Sequence, residues 1–303
     1  MKSKTGYKYD GYALVTGGGS GIGFEFAHLL ALRGWNLLLV GRSLQKLQTA
    51  AASLGKEYPS IEVQTLSSDL SVPGEPERVV EECRRRKLPV KMLINNAGRG
   101  LYGPLQQQDP DQLQQMLRLN IEALMLLSRS FAGTADYILN IGSVAGRLPM
   151  PRYAAYGASK SFVREFTLAL RQELLGAAKA AKAAKAAKAA KAERPDETER
   201  PGKPAKAPKV SVLEPGYVNT GFDENAGIEN RRYMKFSVSN SMTARRVAEI
   251  GLRGLFAGRP VIVPGLRNRA MVNLVRLLPK TLTARVVWKA FSALTADESG
   301  GSL

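Results

Sequence analysis

Two residues near the middle of the chain, Tyr156 and Lys160, have the chemistry and the spacing of an acid–base pair. They stand four positions apart in a helical pattern that continues to about Leu175, so their side chains share one face of the predicted helix. An ammonium group near a phenol favours the phenolate and lowers the pKa of the tyrosine towards the range of a general acid/base. The pair therefore predicts proton transfer to or from a substrate oxygen, although such a pair also occurs in ordinary surface packing.

Two further polar residues accompany this pair. Ser143 follows the predicted strand Tyr137–Gly142, where its hydroxyl could donate a hydrogen bond to a carbonyl oxygen. Asn120 is a polar residue inside the apolar helical pattern Asp111–Phe131, where an asparagine can also be a hydrogen-bonded amide of the core.

A cluster of glycines at Thr16–Gly23 joins an apolar run, Tyr12–Thr16, to an apolar-periodic stretch, Ile22–Arg33. Glycines let the backbone turn tightly and approach a pyrophosphate, which the free amides and dipole of the following helix stabilise. The strand–glycine–helix context favours a dinucleotide site over a flexible loop without a ligand.

The end of the second apolar run, Leu37–Val40, indicates which nicotinamide cofactor is preferred. An acidic residue at this point would bind the ribose 2′-hydroxyl and would repel a 2′-phosphate. The chain has Gly41 and Arg42 instead, so the repulsion is absent and a planar bidentate donor is present. This favours NADP(H), with an exposed loop arginine as the alternative interpretation of Arg42.

Strands and helices alternate around these residues. Short runs rich in branched aliphatic residues predict strands at Tyr12–Thr16, Leu37–Val40, Ile61–Leu66, Lys91–Asn95, Tyr137–Gly142, Val210–Leu213 and Pro260–Pro264. Helical patterns between them imply βαβ units with right-handed crossovers. The predicted fold is α/β: a doubly wound, Rossmann-type parallel sheet with helices on both faces and ligands at the carboxyl ends of the strands.

The motifs, taken in this order, resemble the short-chain dehydrogenase/reductase family, and in particular its NADP-dependent carbonyl and 3-oxoacyl reductases, along nearly the whole chain. The motifs that carry the resemblance are Thr16–Gly23, Ser68-Asp69-Leu70, Asn95-Asn96-Ala97-Gly98, Asn120, Ser143, Tyr156 with Lys160, and Pro215-Gly216 followed by Thr220.

The resemblance implies a role for each catalytic residue. Tyr156 would donate a proton to the carbonyl oxygen, and Lys160 would bind the nicotinamide-ribose hydroxyls and lower the pKa of the tyrosine. Ser143 would orient the substrate oxygen, and Asn120 would hold a water molecule of a proton relay.

The resemblance also implies a cofactor cleft. Asp69 would touch the adenine, Asn96 and Gly98 would line the cleft, and Thr220 would contact the nicotinamide amide. The residues expected to bind the cofactor are Thr16, Gly17, Gly19, Ser20, Gly21, Ile22, Gly23, Arg42, Asp69, Leu70, Asn96, Ala97, Gly98, Tyr156, Lys160, Pro215, Gly216, Val218 and Thr220. Some NADP-preferring relatives carry a second basic residue where this chain has Ser20, so the predicted preference depends on Arg42. No metal site is expected.

A low-complexity insertion, residues 176–209, divides the predicted catalytic domain into residues 1–175 and 210–266. Its lysines recur at every third position and make no apolar helix face, and prolines from Pro195 onward forbid a helix. We expect a solvated helical extension followed by a disordered tether. Residues 177–209 carry ten basic and four acidic side chains, a net charge of +6. A nucleic-acid arm is the alternative, but no aromatic residues are present for base stacking, so a solubilising insertion is favoured over nucleic-acid binding.

Residues 267–303 are predicted to form a basic, amphipathic, helical extension. Seven basic residues and no acidic one lie between Arg259 and Lys289. The apolar residues at helical spacing are Met271, Leu274, Val275, Leu278, Val286, Val287, Trp288 and Phe291. The helices could pack on the subunit or an oligomer mate, or could lie peripherally on a membrane, which would favour a lipidic ketone or acyl substrate.

The segment Gly221–Met242 follows the predicted cofactor-contacting motif and is rich in Gly, Asn and Ser, as a mobile lid over the substrate would be. Its larger apolar residues are Phe222, Ile228, Tyr233, Met234 and Phe236. They indicate either a partly apolar substrate or packing of the lid on the domain.

These features together predict an oxidoreductase that transfers a hydride between NADP(H) and a small-molecule carbonyl or secondary alcohol. The lone cysteine, Cys83, has no intrachain partner, and the first ten residues lack the apolar run of a secretory signal, which favours a cytoplasmic location, at most peripheral to a membrane. In the family, the helices that carry Asn120 and Tyr156 commonly build a dimer interface, so a homo-oligomer, dimer or tetramer, is expected.

Overall fold

Seven parallel strands form the central sheet of the protein. A computed structural model describes residues 9–191, 207–220, 222, 226–227 and 231–295. The order across the sheet is β3-β2-β1-β4-β5-β6-β9, and every pair is parallel. These strands are β1 (Tyr12–Thr16), β2 (Asn36–Gly41), β3 (Val63–Ser67), β4 (Val90–Asn95), β5 (Tyr137–Ile141), β6 (Lys209–Leu213) and β9 (Val261–Ile262). Two shorter strands, β7 (Val218–Asn219) and β8 (Met242–Thr243), pair with each other beside the sheet.

Helices connect the strands and cover both faces of the sheet. In chain order they are α1 (Gly21–Ala31), α2 (Leu44–Glu57), α3 (Glu75–Arg85), α4 (Pro110–Leu117), α5 (Leu124–Phe131), α6 (Ala154–Lys191), α7 (Arg231–Ser239), α8 (Ala244–Phe256), α9 (Leu266–Leu277) and α10 (Lys280–Thr295). A π-helical stretch, Arg118–Ala123, links α4 to α5 without a break. Short 3-10 turns occupy Leu105–Gln107 and Val144–Arg147.

Strand β1 explains why the central strands read as continuous apolar runs. Its residues point alternately to the two faces of the sheet, with Ala13 and Val15 in one apolar core and Tyr12 and Leu14 in the other. Helices α1, α2 and α8 cover the first core, and α3, α5 and α6 cover the second. Because both faces are covered, no strand position of β1 can be polar without a partner.

The strand order places the predicted ligand residues at a single point. The chain runs outward from β1 to β3, returns to β4 on the other side of β1, and then continues to β6. The loops after β1 and β4 therefore separate at the carboxyl end of the sheet and leave a crevice between them. The glycine cluster and Asn96 lie on these two loops.

The predicted fold class is confirmed, and the differences concern the bounds of elements. The last predicted strand, Pro260–Pro264, is only Val261–Ile262, because it pairs with β6 alone at the edge of the sheet. The predicted helix Asp111–Phe131 contains the π-helical stretch that periodicity does not reveal. Strand β6 begins at Lys209, which the sequence placed in the insertion.

The insertion begins as a continuation of α6. The helix runs past Leu175 to Lys191, and the side chains of residues 181–187 are exposed. Alanine favours a helix and the lysines require solvent, which accounts for an exposed helix in this stretch. The predicted tether, from Pro195 to residue 206, lies outside the described residues.

Candidate active site

The glycine loop after β1 is built so closely that two of its glycines cannot carry a side chain. Gly17 has a φ of +66°, and a Cβ there would lie 2.8 Å from Nδ2 of Asn96. A Cβ on Gly23 would lie 2.2 Å from the carbonyl oxygen of Gly17. The loop and the first turn of α1 are therefore in backbone contact, as the glycine spacing predicts.

The amino terminus of α1 has unused hydrogen-bond donors at the crevice. Ser20 is the N-cap residue, is exposed, and makes no side-chain capping hydrogen bond. The first turn, with Gly21 and Ile22, therefore presents free backbone amides and the positive end of the helix dipole. Thr220 packs beside it, since a Cβ on Gly21 would lie 3.4 Å from the Thr220 side chain.

Thr16 joins the loops after β1 and β4. Its hydroxyl accepts hydrogen bonds from the backbone amides of Asn96 and Ala97, both at 2.9 Å. The Asn96 side chain donates in return to the Thr16 carbonyl oxygen at 2.9 Å. These reciprocal bonds fix the two walls of the crevice relative to each other.

An exposed arginine, Arg42, follows the end of β2. Gly41 ends the strand and Arg42 is exposed. The first turn of α2, which begins just after Arg42, brings Lys46 close to the glycine loop, because a Cβ on Gly19 would lie 3.3 Å from Cβ of Lys46. The structure thus places a second cation near Arg42, one that the sequence analysis did not identify.

Asp69 and Leu70 follow β3 on the same edge of the sheet. The Asp69 carboxylate accepts from the backbone amide of Ser71 at 3.0 Å and from its hydroxyl at 2.6 Å. Leu70 is buried in the core that contains β1 and β4. Asp69 is therefore held by its own loop in one orientation.

Lys160 is a buried cation next to the Tyr156 ring. It is 5% exposed, its ammonium donates to the Ile141 carbonyl oxygen at 3.0 Å, and it lies 5.8 Å from the centroid of the Tyr156 ring. Burial lowers the pKa of Lys160 to about 8. The structure brings the predicted pair together on one face of α6.

Asn120 lies at the π-helical stretch and is fully buried. Its amide oxygen accepts from the backbone amide of Arg99 at 3.0 Å, and its amide nitrogen donates to the Arg99 carbonyl oxygen at 2.9 Å and to the Ser159 hydroxyl at 3.1 Å. A Cβ on Gly98 would lie 3.1 Å from the Asn120 oxygen and 3.3 Å from the Lys160 ammonium. Gly98 therefore allows Asn120 and Lys160 to approach the same point.

Ser143 begins the turn after β5. Its hydroxyl accepts from the Ala145 amide at 3.1 Å and lies 3.4 Å from the Pro215 carbonyl oxygen. A buried ion pair holds this turn against the end of β6, since Nε of Arg147 donates to the Glu214 carboxylate at 2.7 Å. Burial raises the pKa of Glu214, and Arg147 opposes that shift.

Aromatic rings surround the Tyr156 side of the crevice. The ring of Tyr153 lies 5.5 Å from that of Tyr156 and 5.2 Å from that of Tyr102. Phe222, from the predicted lid, lies 5.5 Å from the Tyr156 ring on another side. Phe291 of α10 lies 6.4 Å from Tyr153. The wall next to the predicted proton donor is therefore apolar and aromatic.

The C-terminal helices complete the site from outside the sheet. A Cβ on Gly216 would lie 2.7 Å from Nδ2 of Asn268, near the start of α9. Arg152 has a φ of +65°, and its guanidinium carbon lies 6.0 Å from the Tyr102 ring and 5.8 Å from the Trp288 ring of α10. Both helices therefore contact loops that carry or border predicted site residues.

Comparison with known proteins shows to which protein family the chain belongs. The short chain dehydrogenase family model matches residues 11–185. The chain belongs to the short-chain dehydrogenase family. A very-long-chain 3-oxoacyl-CoA reductase of Vanderwaltozyma polyspora is 32% identical over 188 residues, which cover 57% of this chain and 53% of the relative. A sulfoacetaldehyde reductase of Chromohalobacter salexigens is 35% identical over 170 residues, 54% of this chain and 66% of the relative. The matched segment spans about half the length of the very-long-chain reductases.

Solved structures agree over almost the whole chain. A short-chain dehydrogenase from Sphingobium yanoikuyae, solved in complex with NADPH, has a TM-score of 0.70 and 26% identity, with 97% of this chain and 98% of that chain covered. A short-chain dehydrogenase/reductase from Burkholderia phymatum, solved in complex with NAD, has a TM-score of 0.71 and 23% identity, with 88% and 94% covered. The second likeness shows the fold alone.

The residues of this short-chain dehydrogenase fit a nicotinamide dinucleotide. The uncapped amino terminus of α1 and the close-packed glycine loop suit a pyrophosphate. Of the residues predicted after β6, Thr220 lies beside the first turn of α1, and Gly216 lies against Asn268 of α9.

Several residues of the site lie outside the sequence motifs. These are Lys46, Tyr102, Arg152, Tyr153, Asn268 and Phe291. Their contacts join elements that are far apart in the chain, so a local sequence pattern does not indicate these contacts. Of the predicted lid residues, Phe222 reaches the Tyr156 ring and Phe236 packs at 5.9 Å on Tyr217, whereas Ile228 and the side chains of Tyr233 and Met234 lie outside the described residues.

Proposed function

We propose that the protein is an NADP(H)-dependent reductase of apolar, lipidic carbonyl compounds, working reversibly on the corresponding secondary alcohols. The observation that carries the proposal is the buried Lys160 ammonium beside the ring of Tyr156, at the aromatic wall of the crevice. A fixed cation next to a phenol is the arrangement that a tyrosine general acid/base requires.

Each residue of the catalytic group has a distinct task. Tyr156 gives its phenolic proton to the carbonyl oxygen during reduction and takes it back from the alcohol during oxidation. Lys160 stabilises the phenolate that remains, and the Ile141 carbonyl oxygen holds its ammonium in place. The Ser143 hydroxyl orients the substrate oxygen towards Tyr156.

Asn120 positions the site through the backbone. Its side chain bonds both polar groups of the Arg99 backbone, which fixes the loop after β4 beside Gly98 and Lys160. Because its amide is occupied by protein groups, its effect on proton transfer would act through the ordered loop and any water that the loop holds.

The cofactor preference rests on charge at the end of β2. A bound nicotinamide cofactor supplies the hydride that reaches the carbonyl carbon. Arg42 would pair with the 2′-phosphate of NADP(H), Lys46 would add a second cation nearby, and Gly41 leaves no carboxylate to repel the phosphate.

The substrate class rests on the aromatic wall. Tyr153 and Phe222 pack on the Tyr156 ring, and Tyr102 and Phe291 pack on Tyr153 behind it. This largely apolar wall suits a long or bulky hydrocarbon group better than a small polar aldehyde. The very-long-chain 3-oxoacyl-CoA reductases among the relatives support the same choice. A cytoplasmic location belongs to the proposal and is supported by Cys83, which is a free cysteine.

The test is turnover of NADPH over a series of ketones of increasing chain length, with a Tyr156→Phe variant. This variant removes the transferable proton and keeps the ring, so turnover is expected to fall at least about a hundredfold while NADPH still binds. Tyr137→Phe, at the other end of the sheet, is the matched control and should retain turnover. Full activity of Tyr156→Phe would contradict the mechanism, and equal turnover of short and long ketones would contradict the substrate class.

A further inference from the structure

The consecutive helices α9 and α10, called the hairpin below because only Leu278 and Pro279 join them, expose an unusual amount of apolar surface. Leu266 is 80% exposed, Leu277 is 81% exposed and Leu274 is 61% exposed. The other exposed apolar side chains of the hairpin are Met271, Leu278, Leu282, Val286 and Trp288. A patch of this kind, formed by two consecutive helices, marks a contact with another phase or molecule.

These side chains are not needed to hold the hairpin on the domain. A different set of residues does so, with Val272, Thr283 and Phe291 buried. The Lys280 ammonium donates to the Arg147 carbonyl oxygen at 2.8 Å. The hairpin is therefore anchored through its inner side, and the leucines of the outer side remain in solvent.

The same hairpin is cationic throughout. Between Arg259 and Lys289 there are seven basic residues and no acidic one. Those of the hairpin itself are exposed: Arg267, Arg269, Arg276, Lys280, Arg285 and Lys289. Exposed apolar and cationic side chains thus lie on the same two helices, which is the composition of helices that lie in an anionic lipid interface.

We propose that the α9–α10 hairpin docks the protein on an anionic lipid surface, with its leucines and Trp288 inserted among the acyl chains and its cations at the headgroups. This inference goes beyond the proposed reaction and does not rest on it. A second copy of this chain suits the surface poorly, because it would bring the same cations against these. An anionic lipid surface matches both features of the hairpin, because its headgroups pair with the cations and its acyl chains take up the exposed leucines and Trp288.

The hairpin also connects the proposed lipid surface to the candidate active site. Phe291 packs on Tyr153, and Trp288 lies on the Arg152 guanidinium at the edge of the aromatic wall. Docking would therefore hold the aromatic wall next to Tyr156 close to the plane of the lipids, where an apolar substrate could arrive without crossing water.

The two tryptophans make a direct experiment possible. Trp35 is buried at 1% exposure, whereas Trp288 is 49% exposed, so a change of fluorescence on adding lipid reports the hairpin. The full-length protein is mixed with vesicles of phosphatidylcholine alone, or of phosphatidylcholine with about 30% phosphatidylglycerol, with and without brominated acyl chains. We expect flotation with the anionic vesicles, a blue shift, and quenching by bromine that disappears in Trp288→Phe.

A matched pair of variants separates insertion from simple charge attraction. Leu266→Ser, Leu274→Ser and Leu277→Ser together should weaken binding to anionic vesicles by at least about tenfold, since each loses apolar area to bury. The control carries Leu44→Ser, Val72→Ser and Leu105→Ser, which are exposed apolar positions elsewhere, and should bind as the parent protein does. Raising the salt from about 0.1 M to about 1 M should weaken binding by the parent protein, because the Debye length falls from about 10 Å to about 3 Å.

Three outcomes would overturn the proposal. The first is no flotation with anionic vesicles at low salt. The second is flotation without a fluorescence shift or bromine quenching of Trp288, which would assign the binding to another part of this +18 chain. The third is an equal loss of binding in both triple variants. If the hairpin instead mediates self-association, the mass of the protein in solution without lipid will be lower in the variant with Leu266→Ser, Leu274→Ser and Leu277→Ser.

Discussion

The properties of single side chains at the site follow from burial. Lys160 is nearly enclosed, and burial lowers the pKa of its ammonium from an ordinary value of 10.5 to about 8. Below about pH 8 the folded protein therefore carries a buried charge that it would lose more readily than the unfolded chain does. The hydrogen bond from the ammonium to the Ile141 carbonyl oxygen offsets part of this cost and holds the cation beside Tyr156.

The shifted pKa of Lys160 predicts a pH dependence of stability. Between about pH 8 and pH 10.5 the unfolded chain holds the lysine proton and the folded protein does not, so the free energy of unfolding rises with pH, by up to about 3 kcal/mol from this group. Urea unfolding of the cofactor-free protein at pH 7.5 to 10 measures this change in the free energy of unfolding. Lys160→Met should flatten the rise, and Lys280→Met, a surface lysine, should not. An unchanged pH profile in Lys160→Met would contradict the buried-cation assignment.

A second prediction for a single side chain concerns the relative affinity of the protein for NADPH and NADH. Arg42→Leu should weaken NADPH binding relative to NADH by about 1.5–3 kcal/mol, the range for a lost charge-assisted hydrogen bond. Lys46→Met should produce a smaller change in the same direction. Fluorescence titration with both cofactors measures it, with Arg129→Leu, an exposed arginine of α5, as the control. Equal affinity of the parent protein for NADPH and NADH would contradict the proposed preference.

Residue types and spacing predicted the positions that are local in sequence. The glycines of the first loop and the Tyr156–Lys160 pair were identified because the geometry they need is set within a few residues. Lys46 and Arg152 were not, because each acquires its relevance from a partner on another element.

At the scale of elements, hydrophobic periodicity predicted the strands and their connections but not the interruption of the helix at Asn120. The π-helical stretch coincides with an asparagine whose hydrogen bonds run to Arg99, 21 positions earlier. The spacing of the apolar residues predicts one continuous amphipathic helix there, because a π turn adds a residue without changing the apolar pattern strongly. Tertiary bonds of this kind cannot be read from local sequence.

A buried polar network between elements escaped prediction for the same reason. Asn95 at the end of β4 donates to Ser128 on α5 at 3.0 Å and to Asn140 on β5 at 2.9 Å. Asn140 donates to Thr167 on α6 at 3.0 Å. These bonds connect the strands that lead to Asn96 and Ser143 with the helix that carries Tyr156. They therefore help to fix the relative positions of these three residues.

The insertion gives a prediction for a whole element. The Arg171 guanidinium donates to the Val210 carbonyl oxygen at 2.9 Å, so α6 already lies beside the start of β6 well before the insertion. Replacing residues 177–208 with a turn of a few residues should therefore change the free energy of unfolding by no more than about 1 kcal/mol, because loop closure depends weakly on length. Reductase turnover should also persist.

Urea unfolding and NADPH turnover of the shortened protein test this prediction. Lys209 is kept, because it begins β6 and its backbone amide donates to the Asp136 carbonyl oxygen at 2.9 Å. Loss of turnover with NADPH binding retained would mean that the lysine segment takes part in function.

At the scale of the whole molecule, charge and apolar surface are separated from the catalytic chemistry. The net charge of +18 comes largely from the insertion and from residues 259–289, neither of which contains a residue of the predicted catalytic group. The sheet and its two helical layers position the site, and the C-terminal hairpin closes one side of it. No described helix has the length and apolar character needed to cross a membrane.

A second apolar surface, formed by α4, α5 and α6, is a candidate for contact between copies of the chain. The helices α4, α5 and α6 carry apolar side chains that are only partly buried, among them Leu117, Met125, Phe162 and Phe166. The rings of Phe162 and Phe166 stack at 5.6 Å with an angle of 7° between their planes. Burial of such a surface against its copy removes apolar area from water and needs no change in the site.

We therefore predict a homo-oligomer that forms through these helices. Light scattering at micromolar concentration should give a mass of two or four times the 32.9 kDa of one chain. Phe162→Glu should lower the mass, because a carboxylate in a buried interface without a partner is costly, while NADPH binding persists. Phe236→Glu, an exposed phenylalanine on α7, is the matched control and should leave the mass unchanged. A parent mass near that of a single chain would contradict the prediction, and an unchanged mass in Phe162→Glu would place the interface on another face.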